Sequence, residues 1–172
     1  IQIDDRFFSE NYFVLADSTF FDFFSIPMIS GNPQTALVEP FSVVLSESSA
    51  NRLFPDEDPM DKMLRIGGAQ TLFRVTGVMQ DVPENTHFYA NMVGSFSTNP
   101  RSVDNNWLSN SFFTYLKLHP GAKASDVSDR FEGLIIKHIG PMIKQLMGIT
   151  IEDFVSHGNS FNYFLQPLTR LR

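Results

Sequence analysis

The sequence predicts an α+β fold, a sheet carrying a βαβ-type unit with a mixed, hairpin-rich lobe inserted. Three observations point there. Short runs of β-branched and aromatic residues alternate with turn signals from Ile1 to Phe96. One long apolar stripe at helical spacing follows, built from Val127, Phe131, Leu134, Ile135, Ile139, Met142, Ile143 and Leu146. Strand-like stretches at 112–118 and 163–168 flank that stripe, and strand, helix, strand is the order of a βαβ unit, right-handed if its strands are parallel.

Taken in order, residues 1–8 and 10–16 read as one or two strands. Asp17 or Ser18 is placed to cap a short helix, with Asp22 in its first turn where a carboxylate suits the helix dipole. Pro27 ends that helix, and Ser30-Gly31-Asn32-Pro33 makes a turn. Residues 41–45 form a short apolar run, read as a buried strand. Ser46 is an N-cap with Glu47 in the first turn. Ala50, Leu53 and Phe54 then share a face, and Pro55 stops the helix. Residues 56–61 are an acidic loop, while 63–66 and 72–79 make a hairpin around Gly67-Gly68-Ala69-Gln70. A turn at 83–86, a strand at 92–96 and a polar loop at 99–106 follow. After His119-Pro120-Gly121, Ser125-Asp126 starts the helix 125–146, which kinks or restarts at Gly140-Pro141. The expected organisation is one domain, 1–172. Subdomain A takes about 1–27 and 107–172, its helix covering one side of the sheet, and subdomain B takes about 28–106.

A chain of 172 residues buries roughly 70% of its unfolded surface. With 42% apolar and 19% charged residues it belongs to the globular class, and its 18 phenylalanines against one tryptophan predict an aromatic-rich core. The net charge of −6, without a basic run, argues against nucleic acid and against an anionic lipid surface as partners. Without cysteine there is no disulfide and no thiolate chemistry. No apolar run approaches the roughly 20 residues that span a bilayer, and no signal peptide is visible. The chain opens at Ile1 inside a strand pattern and closes at 165–172 without a terminal helix, so both ends read as cut from a longer chain.

Nothing assigns a catalytic, cofactor-binding or metal-binding residue. His87, His119, His138 and His157 lack metal-ligand spacing. His87 suits a structural hydrogen bond in its turn, and His138 falls on the polar side of the helix, solvated. Asp56, Glu57, Asp58 and Asp61 fail as a calcium loop, because Asp61 stands where the sixth-position glycine belongs and Gly67 where the bidentate glutamate does. Ser46-Glu47-Ser48-Ser49 has no flanking glycines to make a nucleophile elbow, and Gly67-Gly68 has no phosphate-loop spacing. No ATPase motif is present. Phe20, Phe21, Phe23 and Phe24 cannot all face one side of a short helix; two are expected in the core, the others against a second lobe or a partner.

The stretch 17–88 carries DSTFFDFFSIPMISGNPQTAL, SVVLSESSANRLFPDEDPMDKMLRIGG and FRVTGVMQDVPENTHF in fixed order, and further matches lie at Tyr115-Leu116-Lys117-Leu118 and Leu165-Gln166-Pro167-Leu168. This resembles the periplasmic core domain of MacB-like and FtsX-like ABC transporter permeases. The resemblance implies a domain set between the first and second transmembrane helices of an inner-membrane permease of a Gram-negative bacterium. It implies no chemistry of its own, ATP hydrolysis in another domain or subunit, and homodimers. It also implies partners in the flanking helices, the ATPase and an adaptor outside the membrane. The domain would carry motion outward to substrates or partner proteins, with contact residues unassigned. The chain departs from the family pattern at Asp61, where glycine is usual but where Asp tolerates a left-handed turn, and at 168–172, where the closing strand diverges. Two other classes remain open: a ligand-sensing extracytoplasmic module with one enclosed aromatic pocket, and a hydrolase with convergent titratable groups.

Overall fold

The computed structural model describes residues 1–83 and 85–170, so Glu84 of the expected 83–86 turn and Leu171 and Arg172 of the diverging end lie outside the described residues. The chain is α+β and divides into two compact units, Ile1–Asp104 and Asn105–Arg172.

Unit 1 is an eight-stranded mixed sheet. Its strands are β1 (Gln2–Ile3), β2 (Arg6–Phe7), β3 (Phe13–Ala16), β4 (Met28–Ser30), β5 (Ser42–Ser46), β6 (Met63–Ile66), β7 (Thr71–Met79) and β8 (Met92–Ser95), joined by helices α1 (Phe20–Phe24) and α2 (Glu47–Leu53). The path is β2-β1-β6-β7-β5-β8-β3, with β4 on β7 beyond the end of β6. β5–β7 and β3–β8 are parallel, and the remaining pairs are antiparallel. β5, α2, β6 and β7 therefore give a parallel crossover inside this unit. β5 is buried at all five positions, as a central strand covered on both faces must be. Its period of two sends Val43 and Leu45 into one core cluster with Leu53, Leu64, Phe73 and Val75, and Val44 into another with Phe21, Leu37, Met79 and Val93.

The sheet's two edges both come from the first 16 residues: β2 and β1 at one, β3 at the other. Six inter-strand steps of about 4.8 Å would put those edges about 29 Å apart in a flat sheet. The segment from Phe7 to Phe13 reaches at most about 21 Å fully extended. The sheet must therefore curl, and Ile1, Phe8 and Phe13 all pack on the same core cluster.

The sequence reading of β5, α2 and the β6–β7 hairpin holds to within a residue or two. Ser46 caps α2 by accepting from the Ser49 N–H at 3.2 Å. Asp61 sits at φ +59°, the left-handed turn expected there. α1 starts one or two residues later than expected, with Thr19 at the cap and no side-chain cap bond. It stops at Ser25 in a left-handed turn (φ +55°), ahead of Pro27. Residues 99–106 hold a 3₁₀ turn, Pro100–Val103, capped by Asn99. Of the strands within residues 1–27, β1 hydrogen-bonds to β6 and β3 to β8.

Unit 2 divides the 125–146 helix into α3 (Ala124–Ser128), α4 (Phe131–Leu134), a π turn (Ile135–Ile139) and α5 (Gly140–Met147), restarting at Gly140-Pro141 as expected and breaking also at 129–130. Pro141 has no N–H to give the Lys137 carbonyl, and the wide turn ahead of it absorbs that missing bond. A helix the sequence reading missed, α6 (Ile151–Ser156), is closed by a Thr150–Asp153 capping box. The strands expected at 112–118 and 163–168 are irregular chain without ladder partners, ending in a 3₁₀ turn at Leu168–Arg170. Phe112 and Phe113 are consecutive and both exposed, so neither face of that stretch is covered as a buried strand needs. Ile135, Ile139 and Ile143 bury against Trp107, Leu108, Phe154 and Phe161, all in this unit. No helix among the described residues is long and apolar enough to cross a membrane.

Gly31 lies at φ +89°, and a Cβ there would stand 2.5 Å from the Thr76 carbonyl oxygen and 2.9 Å from Gly77 Cα. Gly31→Ala is expected to cost at least about 2 kcal/mol in urea denaturation. Gly67→Ala, at φ +74° with nothing within 4 Å, should cost only about 1 kcal/mol.

Candidate functional site

The strap that closes the sheet, between β2 and β3, is held by one carboxylate. Glu10 is 4% exposed in its side chain and ion-pairs with Arg52 on α2. It accepts from the Asn91 amide at 2.8 Å, from the Asn11 N–H at 3.2 Å and from the Ser49 hydroxyl at 3.3 Å. Arg52 also donates to the Ser9 carbonyl at 3.2 Å, and the Tyr12 carbonyl accepts from the Asn91 and Met92 N–H groups. Strap, helix and the entry to β8 thus meet at one charge. Burial opposes ionisation of Glu10, but the Asn91 amide, the Arg52 guanidinium and the Asn11 N–H outweigh it and hold its carboxyl below the ordinary value.

A second carboxylate fills the start of α2. Asp81 accepts from both the N–H and the hydroxyl of Ser48, at 3.1 and 2.5 Å. Burial again opposes its charge, and the Ser48 and Ser46 hydrogen bonds lower its pKa despite that. The serines of 46–49 therefore act as a cap, Ser46, and two donors to carboxylates, Ser48 and Ser49. Neither Glu10 nor Asp81 was marked by the sequence, since the side chains that bond them, those of Ser48, Ser49 and Asn91, lie 33 to 81 residues away.

The aromatic run of α1 divides as its helical spacing requires. Phe21 is buried at 1% exposure and Phe20 packs on the same cluster. Phe24 meets Phe20, Phe88 and His87, and Phe23 lies on Phe24 at 4.9 Å. His87 stands edge-on to Phe88 at 4.9 Å, part of that aromatic group. His138 is not simply solvated: it stacks on Trp107 with ring centroids 4.0 Å apart and planes 11° from parallel. His157 closes α6, its Nδ1 2.6 Å from the Asp153 carbonyl. His119 takes part in a turn, its carbonyl accepting from Ala122. The acidic loop is turned on itself: Glu57 pairs with Lys62, Asp61 with Arg74, and Asp58 accepts from the Met60 N–H. Among the described residues no group of three or more His, Asp or Glu side chains is placed to hold a metal.

Unit 2 contains an open groove of about 680 Å³ between the α4–π turn segment, α6 and the chain at 161–163. Phe131, Ile136, Val155 and Tyr163 line it together with Glu132 and Glu152. Burial pushes the Tyr163 hydroxyl pKa up, and that hydroxyl donates to the Trp107 carbonyl at 3.2 Å. The groove is partly open to solvent.

The family model described as the MacB-like periplasmic core domain matches residues 4–134. Among solved structures, the chain is similar to a domain attributed to a permease protein from Porphyromonas gingivalis, with 27% identity and a TM-score of 0.63 over 72% of this chain and 58% of that one. It is also similar to the periplasmic region of MacB from Actinobacillus actinomycetemcomitans, with 20% identity and a TM-score of 0.44 over 85% of this chain and 64% of that one. The chain thus spans less than two thirds of either. No curated protein matches it.

Glu10 has a folded pKa below its unfolded value, so its contribution to stability is present above the unfolded pKa and is lost as pH falls through the folded one. Glu10→Gln should cost about 1–3 kcal/mol at pH 7. It should also flatten the fall in stability as pH drops through and below the ordinary glutamate value of 4.5, because the titrating group is gone. Urea midpoints of both proteins across that range check both expectations.

Proposed function

The chain belongs to the MacB-like periplasmic core domain family, and from that premise we propose that it is the extracytoplasmic domain of an ABC transporter permease that carries motion from the ATP-driven membrane part to substrates or partner proteins in the periplasm. The family match is the observation that carries this reading. On it, the partners are the flanking transmembrane helices, an ABC ATPase, a second copy of the permease and an adaptor protein outside the membrane. Hydrolysis of ATP belongs to the ATPase, and this domain performs no reaction.

The geometry suits that role. A domain that conveys displacement must resist deformation, so that movement at one point appears at another. The Phe7–Phe13 segment links both edges of the sheet, and Glu10 ties it to α2 and to the start of β8. A pull on this segment would be shared among ladder hydrogen bonds and one buried charge network. The proposed subdivision, 1–27 with 107–172 and 28–106 inserted, keeps its place as part of this reading of the full-length permease.

These 172 residues hold no cysteine, so introduced thiols are this domain's only ones, and labelling uses a permease whose remaining segments are made cysteine-free. In the full-length permease, spin labels at Glu39→Cys and Asp56→Cys, both exposed positions of unit 1, should keep a fixed separation within one copy. The same Asp56→Cys label measured between two copies should shift by about 5 Å or more between nucleotide-free and ATP-bound states. A separation between copies that ignores nucleotide, or a change confined to one copy's interior, defeats the proposal.

A further inference from the structure

The groove of unit 2 has a chemistry that the motion-carrying role does not use. Its apolar lining includes Ile136 at 50% and Val155 at 54% exposure and the rings of Phe131 and Tyr163, while Ser156 and Asn162 add polar groups at the rim. Its charged lining residues are Glu132 and Glu152 alone. This inverts its surroundings, because residues 105–172 carry seven basic and five acidic side chains. Neither glutamate makes an ion pair among the described residues. Glu152 is not needed as the cap of α6 either, since Asp153 closes that box with Thr150. Ile135 and Ile136 stand on the π turn, a local widening that is uncommon in helices and is frequent at functional sites.

The geometry points to this groove as a docking site for a cationic amphipathic helical segment of a partner protein. Apolar side chains one helical turn apart would lie between Ile136 and Val155, and flanking Lys or Arg side chains would pair with Glu132 and Glu152. This is the helix-in-groove mode of recognition, in which apolar anchors at i, i+3 or i+4, and i+7 supply the contact and rim charges choose the partner. The groove's partly open mouth, with Ile136, Val155 and both glutamates exposed, gives a helical segment access to them together. The inference needs only the geometry of unit 2 and stands whether or not the domain conveys motion.

The test uses the whole chain and two synthetic amphipathic helical peptides with the same leucine face, one with lysine and one with glutamate on its flanks. Trp107 is the chain's one tryptophan and packs on the core beneath the groove, so its fluorescence reports binding. The lysine peptide should bind about tenfold more tightly than its glutamate twin at low salt, with the preference shrinking at about 0.5 M salt. Glu132→Gln with Glu152→Gln should erase the preference, and Glu132→Lys with Glu152→Lys should reverse it. Ile136→Ser with Val155→Ser, at exposed positions the fold does not rely on, should weaken both peptides about tenfold. Equal binding of the twins overturns the inference, as does a preference that survives Glu132→Gln with Glu152→Gln. Saturable binding of dodecyltrimethylammonium where the lysine peptide fails to bind also overturns it, reassigning the groove to a small cationic amphiphile.

Discussion

The architecture of unit 1 depends on a mismatch between two lengths. A seven-strand path in a flat sheet would hold its edge strands about 29 Å apart, while the chain linking them reaches about 21 Å. The sheet resolves this by curling, which brings Ile1, Phe8 and Phe13 onto one core cluster with Val43, Leu45 and Phe73. The close approach of Phe13 to Phe73, edge to face at 5.6 Å, follows from the same curvature. Gly94 permits it from below, since a Cβ there would stand 2.7 Å from the Phe13 ring.

A buried charge then fixes the strap at its middle. Glu10 is buried while its partner Arg52 stays 43% exposed, and desolvation of the carboxylate offsets much of their attraction. What the buried charge provides is direction: Glu10 must find Arg52, Asn91, Ser49 and the Asn11 N–H together, and no neighbouring register satisfies all four. An apolar side chain at that position would bury equally well in several placements of the strap. For a domain proposed to pass displacement between its ends, one placement matters more than a small gain in stability.

The sequence made the local elements legible and left the long-range ones hidden. β5, α2 and the β6–β7 hairpin follow from a buried apolar run, a serine cap and a glycine turn, all signals within about ten residues. The left-handed turn at Asp61 was readable because few residue types tolerate that conformation. Glu10 and Asp81 were not, because nothing near them names partners so distant in the chain. In unit 2 the helical stripe and its restart at Gly140-Pro141 were legible, since proline cannot continue the hydrogen-bond ladder. The interruption at Asp129–Arg130 was not, because periodicity averages over a window and no proline marks that point. The α6 capping box was present as Thr150 and Asp153 and went unread. The strand readings at 112–118 and 163–168 rested on composition, which measures fitness for a pleated surface and does not supply the neighbouring strand.

The broken helix keeps its inward stripe. Ile135, Ile139 and Ile143 stand four residues apart and turn inward, and Ile136, one residue off that row, faces out as it would on an unbroken helix. α6, folding back after the left-handed Gly148, brings Val155 to the same opening. The groove therefore depends on that return, which sets α6 and the chain at 161–163 opposite Phe131, Glu132 and Ile136.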